Sequence, residues 1–165
     1  MCIRDSINIS DALIKLEKFD QAKKYLDRSL SLDGPSPEIY SCLGNVNFYL
    51  EDYSTSISFY QKSIKIDQMF KESYFGLGRS LSKLDKWFEA IHFFKKAYKI
   101  DNKNIEYVKS LAYAEFKVGN LVSSIDLYSK AVEMQPDDYK LSLDFSLIYY
   151  ESLSLIHISE PTRLH

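Results

Sequence analysis

The pattern YSCLGNVNFYLEDYSTSISFYQKSI of residues 40–64 returns 34 residues later as YFGLGRSLSKLDKWFEAIHFFKKAY of residues 74–98. The same spacing continues along the chain without an insertion or a deletion. The aligned sets are Leu43, Leu77 and Leu111; Gly44, Gly78 and Ala112; Ser56, Ala90 and Ser124; Tyr60, Phe94 and Tyr128; and Ser63, Ala97 and Ala131. A fixed period of this length is typical of stacked repeats that share one continuous core.

Apolar residues within each repeat follow the period of an α-helix. Tyr74, Leu77 and Leu81 mark one helical face, and Ala90 and Phe94 begin another after a short turn. The sequence therefore predicts four helix pairs and an unpaired ninth helix, with no β-strand. The predicted helices cover residues 7–16, 20–32, 38–50, 54–66, 72–84, 88–100, 105–118, 122–134 and 139–151.

Residues with strong boundary preferences separate these helices. Ser36 followed by Pro37 is a favourable start, since serine caps the first free amides and proline fits the first turn. The sequence predicts further N-caps at Asp52, Asn104, Asn120 and Asp138. It predicts helix stops at Gly34, Pro35 and Pro136.

Composition excludes several classes of partner. The chain has 165 residues, a formal net charge of -2 and 45% hydrophobic residues, which indicates a folded protein. A nearly neutral chain has no global field to hold nucleic acid, so we expect no nucleic-acid partner. No run of about 18 apolar residues is present, so we expect no membrane span.

Both ends of the chain resemble translated sequencing adapter. Residues 1–5 can be read from the codons ATG TGT ATA AGA GAC, and residues 153–158 from CTG TCT CTT ATA CAC ATC. The second codon string contains the reverse complement of the first. We therefore expect residues 1–6 and 153–165 to be adapter-derived tags that add nothing to the fold. On this interpretation we expect the chain to be an internal fragment of a larger protein. The sequence does not determine its cellular compartment, although we favour the cytoplasm.

The repeats resemble those of the tetratricopeptide repeat (TPR) family. The matching residues are Tyr40 and Tyr74 in the tryptophan place, Leu43-Gly44, Leu77-Gly78, Ala90 with Phe94, and Pro136; Gln68, Asn102 and Ser142 depart from the pattern. The resemblance covers about residues 7–152, as units near 7–36, 37–70, 71–104 and 105–138 and a half unit at 139–152. It implies an all-α fold, a right-handed α-solenoid of helix-turn-helix units whose first helices line a concave groove for a peptide or partner helix.

The sequence carries no convincing catalytic or metal-binding motif. Gly76-Leu77-Gly78-Arg79 lacks the Lys-Ser/Thr ending of a phosphate loop and falls within a predicted helix, so we interpret it as packing. Within residues 7–152, Cys42 and His92 are the only cysteine and histidine, and they fall in different repeats. We therefore expect a non-enzyme that has no cofactor and binds no metal.

Aromatic and basic residues alternate on the predicted groove face of the first helices. This arrangement predicts a peptide-binding site for an acidic partner with apolar anchors, at Asn45, Tyr49, Phe75, Arg79, Lys83, Lys109, Tyr113 and Lys117. Phe48 and Phe116 fall on the same predicted face. The alternative is that a chain with 13 Tyr and 10 Phe gathers such residues on any face.

Some members of the family bind a C-terminal carboxylate through a Lys/Asn/Asn/Lys/Arg constellation. Only Asn45 matches it here, because Gly76 and Ser110 lack the required groups and Glu106 reverses a charge. The sequence thus argues against that specificity.

The sequence is compatible with three functions. The first is a protein-interaction scaffold, the second a targeting or regulatory segment of an enzyme whose catalytic domain lies outside this chain, and the third a structural spacer without a peptide ligand.

Overall fold

The computed structural model describes residues 3–159, and every regular element in this range is an α-helix. The helices are α1 Ile3–Lys15, α2 Phe19–Asp33, α3 Pro37–Tyr49, α4 Tyr53–Ile66, α5 Lys71–Lys83, α6 Trp87–Ile100, α7 Ile105–Lys117, α8 Leu121–Met134 and α9 Tyr139–Ser159. We refer to α1, α3, α5, α7 and α9 as first helices and to α2, α4, α6 and α8 as second helices. The all-α repeat solenoid expected from the period is confirmed.

Most predicted helix ends agree with the structure to within one residue, and the two outermost ends do not. Helix α1 begins at Ile3, where the sequence predicted residue 7, and the Ser6 side chain is fully buried. Helix α9 continues to Ser159, where the sequence predicted an end at residue 151. Residues 1–2 and 160–165 of the expected tags lie outside the described residues. Helical structure therefore extends into both segments that we expected to leave the fold unaffected.

Four of the five predicted N-caps bind the first turn of their helix. The side chains of Ser36, Asp52, Asn104 and Asp138 accept hydrogen bonds from backbone amides at α3, α4, α7 and α9. Asn120 occupies the predicted N-cap position of α8, but its side chain makes no capping bond and its amide instead donates to Glu115 Oε2 over 2.6 Å. Such a side-chain partner cannot be read from capping preferences alone.

The chain divides into two compact units, which are described separately. Unit 1 extends to Asp101 and contains α1–α6, where each first helix packs against its second helix and α1, α3 and α5 are neighbours. Unit 2 begins at Asn102, and there α8 packs against both α7 and α9.

Glycines in unit 1 make room for a tyrosine between two first helices. Tyr60 on α4 is completely buried, and a Cβ built on Gly44 would lie 2.6 Å from its ring. A Cβ on Gly76 of α5 would also overlap this ring. The absence of side chains at these two glycines lets the ring fill the space between the helices. Gly78 has the same relation to Phe94, at 2.7 Å.

Buried serines join the helices where the repeat carries small residues. Ser56 Oγ donates to the Gly44 carbonyl over 2.9 Å and lies 3.0 Å from Ser80 Oγ. In unit 2, Ser124 Oγ donates to the Ala112 carbonyl over 2.8 Å in the same register. These bonds satisfy hydroxyl groups that would otherwise be costly to bury.

Candidate functional site

A cavity opens on the first-helix face of unit 1 and has a volume of about 230 Å³. We call it the first-helix cavity, and its lining residues are Asp11, Ile14, Lys15, Asn45, Tyr49 and Arg79. They come from α1, α3 and α5, three successive first helices. The structure therefore brings together three of the residues expected to bind a peptide, Asn45, Tyr49 and Arg79.

Arg79 is held in place by aromatic rings. Its guanidinium carbon lies 4.2 Å from the centre of the Phe48 ring and 5.8 Å from that of Phe75. A cation above an aromatic face is attracted by the ring quadrupole. The edge of the guanidinium that points away from the ring stays available to a carboxylate. Phe48 is only 8% exposed, and the Arg79 guanidinium lies over its ring.

Asn45 is oriented by the buried tyrosine behind it. Tyr60 Oη donates a 2.7 Å hydrogen bond to Asn45 Oδ1. The oxygen of the amide is thus engaged, and the amide nitrogen is the group of Asn45 best placed to donate to a ligand carbonyl. Burial raises the pKa of Tyr60, so its phenol remains protonated and keeps donating at neutral pH.

The Tyr49 ring combines exposure with a fixed position. It stacks on Phe19 with the ring centres 5.8 Å apart and the planes 2° from parallel, while 45% of the residue remains exposed. An exposed ring that is already fixed loses little conformational freedom on binding, which favours it as an apolar contact.

The other two residues of unit 1 that were predicted to bind a peptide lie beside the cavity. Phe75 on α5 is half-buried, and its ring centre lies 5.8 Å from the Phe94 ring centre and 5.8 Å from the Arg79 guanidinium carbon. Lys83 is exposed one helical turn beyond Arg79.

The remaining predicted site residues lie on α7 of unit 2. Tyr113 is 45% exposed and Lys117 is exposed. Lys109 Nζ lies 3.3 Å from Glu106 Oε1, so its charge is partly balanced within the helix. The predicted set therefore divides between the two units, five residues in the first and three in the second.

Three residues of the first-helix cavity were missed at the sequence level. The 34-residue register aligns Asp11 with Asn45 and Arg79, and aligns Lys15 with Tyr49 and Lys83. Extending the predicted groove face back by one period would have found both, with Ile14 between them. The residues of α1 thus occupy the same positions of the 34-residue register as those of α3 and α5.

The first-helix cavity contains one acidic and two basic side chains. Partial burial raises the pKa of Asp11, and the nearby Lys15 opposes this shift. With Arg79 as the second cation, the cavity carries a net positive charge at neutral pH.

Cys42 and His92 do not contribute to a reactive site. Cys42 is buried, and burial raises the pKa of its thiol to about 12. His92 is exposed on α6, next to the Phe93 ring. Across the described part of the chain, no group of three or more His, Cys, Asp and Glu side chains is arranged to hold a metal. The helices of this part include none with the length and hydrophobicity needed to cross a bilayer.

The family model described as "Tetratricopeptide repeat" matches residues 7–35, 37–68 and 71–104, more than half of the chain. No curated protein is recognisably similar to the chain in sequence.

Several solved structures share the fold. YrrB, described as a TPR protein with an unusual peptide-binding site, has a TM-score of 0.72 and 19% identity, over 89% of this chain and 77% of that one. A double mutant of MamA RS-1 has a TM-score of 0.79 and 18% identity, over 90% and 83%. The first TPR of Spaghetti (RPAP3), solved with the HSP90 peptide SRMEEVD, has a TM-score of 0.67 and 16% identity, over 70% and 91%.

Proposed function

The chain belongs to the tetratricopeptide repeat family, and from this premise we propose that it binds a peptide segment of a partner protein on its first helices. Members of this family are generally non-catalytic interaction modules, and one of the similar solved structures holds a bound peptide. The proposed function is a scaffold for protein–protein interaction.

The observation that carries this proposal is the first-helix cavity. Its polar and aromatic groups are positioned by packing before any ligand arrives: Arg79 by Phe48, Asn45 by Tyr60 and Tyr49 by Phe19. Groups that are already oriented lose little entropy on binding, which raises affinity for a given contact area. A structural spacer has no need of such positioning.

The charges of the site favour an acidic segment with an apolar anchor. Arg79 and Lys15 line the cavity, and Lys83 lies one turn further along α5. Exposed ion pairs each contribute about 0–1 kcal/mol, so affinity would come mainly from packing against Tyr49, while the charges select and orient the ligand. Lys109, Tyr113 and Lys117 offer the same chemistry on α7 of unit 2, and we propose them as peptide-binding residues of that unit.

A peptide-library screen on the chain, followed by charge reversal, tests this function. The screen should select acidic peptides that carry an aromatic or aliphatic anchor. Arg79→Glu with Lys83→Glu should weaken the selected peptides by roughly tenfold or more at low salt, because two attractive charges become repulsive. Tyr113→Ala tests the contribution of α7 separately.

The matched control is Lys24→Glu with Arg28→Glu. These two exposed cations lie on second helix α2 with the same four-residue spacing, so the net charge changes equally. Basic selected peptides, or equal loss of affinity in the control variant, would contradict the site.

A further inference from the structure

A second cavity of unit 1 lies away from the first-helix cavity, at the junction of α5, α6 and the loop between α4 and α5. Its volume is about 350 Å³, and we call it the Lys96 pocket; it is lined by Gln68, Met69, Tyr74, Lys96, Lys99 and Ile100. No residue is shared with the first-helix cavity. Met69 is 66% exposed, so a flexible apolar side chain stands at the edge of the pocket.

The basic side of the pocket is ordered by aromatic rings. Lys96 Nζ lies 5.3 Å from the centre of the Tyr74 ring and 5.8 Å from that of Phe93. One repeat earlier, Lys62 Nζ lies 5.8 Å from the Tyr40 ring and 5.1 Å from the Phe59 ring. The same cation between two rings thus recurs at the same register positions. These lysines are held over rings at a defined place on the surface.

The lysines of the pocket are available to an external partner. Lys96 and Lys99 form no ion pair with any residue from 5 to 154, the range over which side chains are described. The nearby Asp101 is instead paired with Lys71, whose Nζ lies 2.6 Å from its carboxylate. Asp67 accepts a 2.8 Å hydrogen bond from the backbone amide of Met69, which fixes the loop at the rim. The result is an apolar hollow with two uncompensated cations beside it.

We propose that the Lys96 pocket binds an acidic segment of a partner protein, with an apolar side chain in the hollow and flanking carboxylates on Lys96 and Lys99. Charge complementarity favours an acidic segment, since an apolar segment without acidic groups would provide no carboxylate for either lysine. The site does not depend on the first-helix cavity, so the chain would present two separate faces to partners.

The corresponding positions of unit 2 keep one lysine, Lys130 at the position of Lys96, and lack the rest of this chemistry. The 34-residue register places Val108 where Tyr74 stands, Leu127 where Phe93 stands and Glu133 where Lys99 stands. An acidic residue at the third position would repel the proposed ligand. The register also places Met134 at the position of Ile100, which provides an internal reporter where no binding is expected.

Methionine methyl NMR tests the proposal directly, because the chain contains only Met1, Met69 and Met134. The full chain is labelled with ¹³C-methyl methionine, and Met69→Leu assigns the Met69 signal. The probe is the blocked peptide Glu-Glu-Leu-Phe-Glu-Glu, and the control peptide has lysine in place of every glutamate. We expect the acidic probe to shift the Met69 signal in a saturable manner, to leave Met134 in place, and to lose effect as salt is raised.

Two charge-reversed variants locate the binding. Lys96→Glu with Lys99→Glu should weaken the Met69 response by roughly tenfold or more, because both attractive charges are reversed. Arg79→Glu with Lys83→Glu should leave it unchanged, which separates this pocket from the proposed peptide site. Both pairs change the net charge equally, and far-ultraviolet circular dichroism checks that each variant folds.

Several outcomes would overturn the Lys96 pocket as a peptide site. They are no Met69 shift with millimolar acidic probe, an equal shift with the basic peptide, or retention of the shift in the Lys96/Lys99 variant. A Met69 shift that grows with protein concentration in the absence of peptide would instead assign the pocket to a second copy of the chain. Each of these results leaves the proposal for the first-helix cavity standing.

Discussion

Tyr60 in unit 1 and Tyr128 in unit 2 occupy the same register position, yet their surroundings differ. Tyr60 is fully buried against Gly44 and Gly76, and its hydroxyl donates to Asn45. The register gives Tyr128 an alanine, Ala112, in place of the first glycine and Asp144 in place of the second. The negative charge of Asp144 adds to the effect of burial in raising the pKa of Tyr128.

The residues packed against this repeated tyrosine decide what its ring does. Between two glycines, the Tyr60 ring reaches far enough for its hydroxyl to orient a residue of the first-helix cavity. Beside Ala112 and Asp144, Tyr128 stacks on Phe145 at a centre distance of 6.5 Å and remains a packing residue. One repeat position thus serves the candidate site in one unit and the core alone in the other.

Truncating the two rings should produce the largest effect. Tyr60→Ala should cost about 3–5 kcal/mol of the free energy of unfolding, as expected for loss of a buried aromatic ring. Tyr128→Ala should cost about 1 kcal/mol less, because no comparable hydrogen bond is lost. Urea unfolding measures both.

His92→Ala provides the surface control for this pair. It should change the free energy of unfolding by no more than about 0.5 kcal/mol, because His92 is exposed. Equal costs for Tyr60→Ala and Tyr128→Ala would remove the distinction between the two rings.

Adding a methyl group opposite Tyr60 should produce an intermediate effect. Gly76→Ala places a Cβ into the ring and should cost about 1–3 kcal/mol, although alanine favours helix formation over glycine by about 0.5–1 kcal/mol. Combined with Tyr60→Ala, the same change should become neutral or stabilising, because the ring is gone. A double-mutant cycle by chemical denaturation measures this coupling. Equal effects of Gly76→Ala with and without Tyr60 would refute the steric account.

Alkaline pH should produce the smallest difference. Burial raises the pKa of Tyr128 to about 12 and also raises that of Tyr60, from an ordinary value of 10.0. The unfolded phenols therefore lose their protons first, so these two tyrosines should lower the free energy of unfolding only as pH rises above about 10.

Replacing either phenol by phenylalanine should make this fall shallower. Tyr60→Phe should also cost about 0.5–1.5 kcal/mol at pH 7, through loss of the bond to Asn45, and Tyr128→Phe should not. Cys42 contributes a fall of the same sign from pH 9.0 to about 12, and it is unchanged in both variants. Urea unfolding between pH 7 and 11 decides whether the two slopes differ.

The helix caps could be predicted from the sequence, and the burial of Trp87 could not. The caps at Ser36, Asp52 and Asn104 were readable because a cap depends on residues within one helical turn. Trp87 resembles a core residue in sequence but is only half-buried, with its indole nitrogen donating to Asp85 over 3.2 Å. Its exposure depends on neighbouring helices, so truncation should cost less than for a fully buried ring.

The candidate site shows the same division. Helical periodicity and the 34-residue register placed Asn45, Tyr49 and Arg79 on one face, and the same register also contained Asp11 and Lys15. Nothing in the register indicated that Arg79 would cover Phe48 and close it to a ligand. That contact joins side chains on two different helices and depends on the distance between them.

The sequence by itself determined the all-α repeat architecture, the helix pairs and the face on which each residue lies, because these follow from a local period repeated without interruption. Only the tertiary structure decided which side chains of that face are open, which are covered and which are held by a neighbour. The Lys96 pocket likewise appeared only when α5, α6 and the loop at Met69 were brought together. Cavities, stacked cations and paired charges depend on distances of a few ångströms between separate helices, and such distances are set by packing.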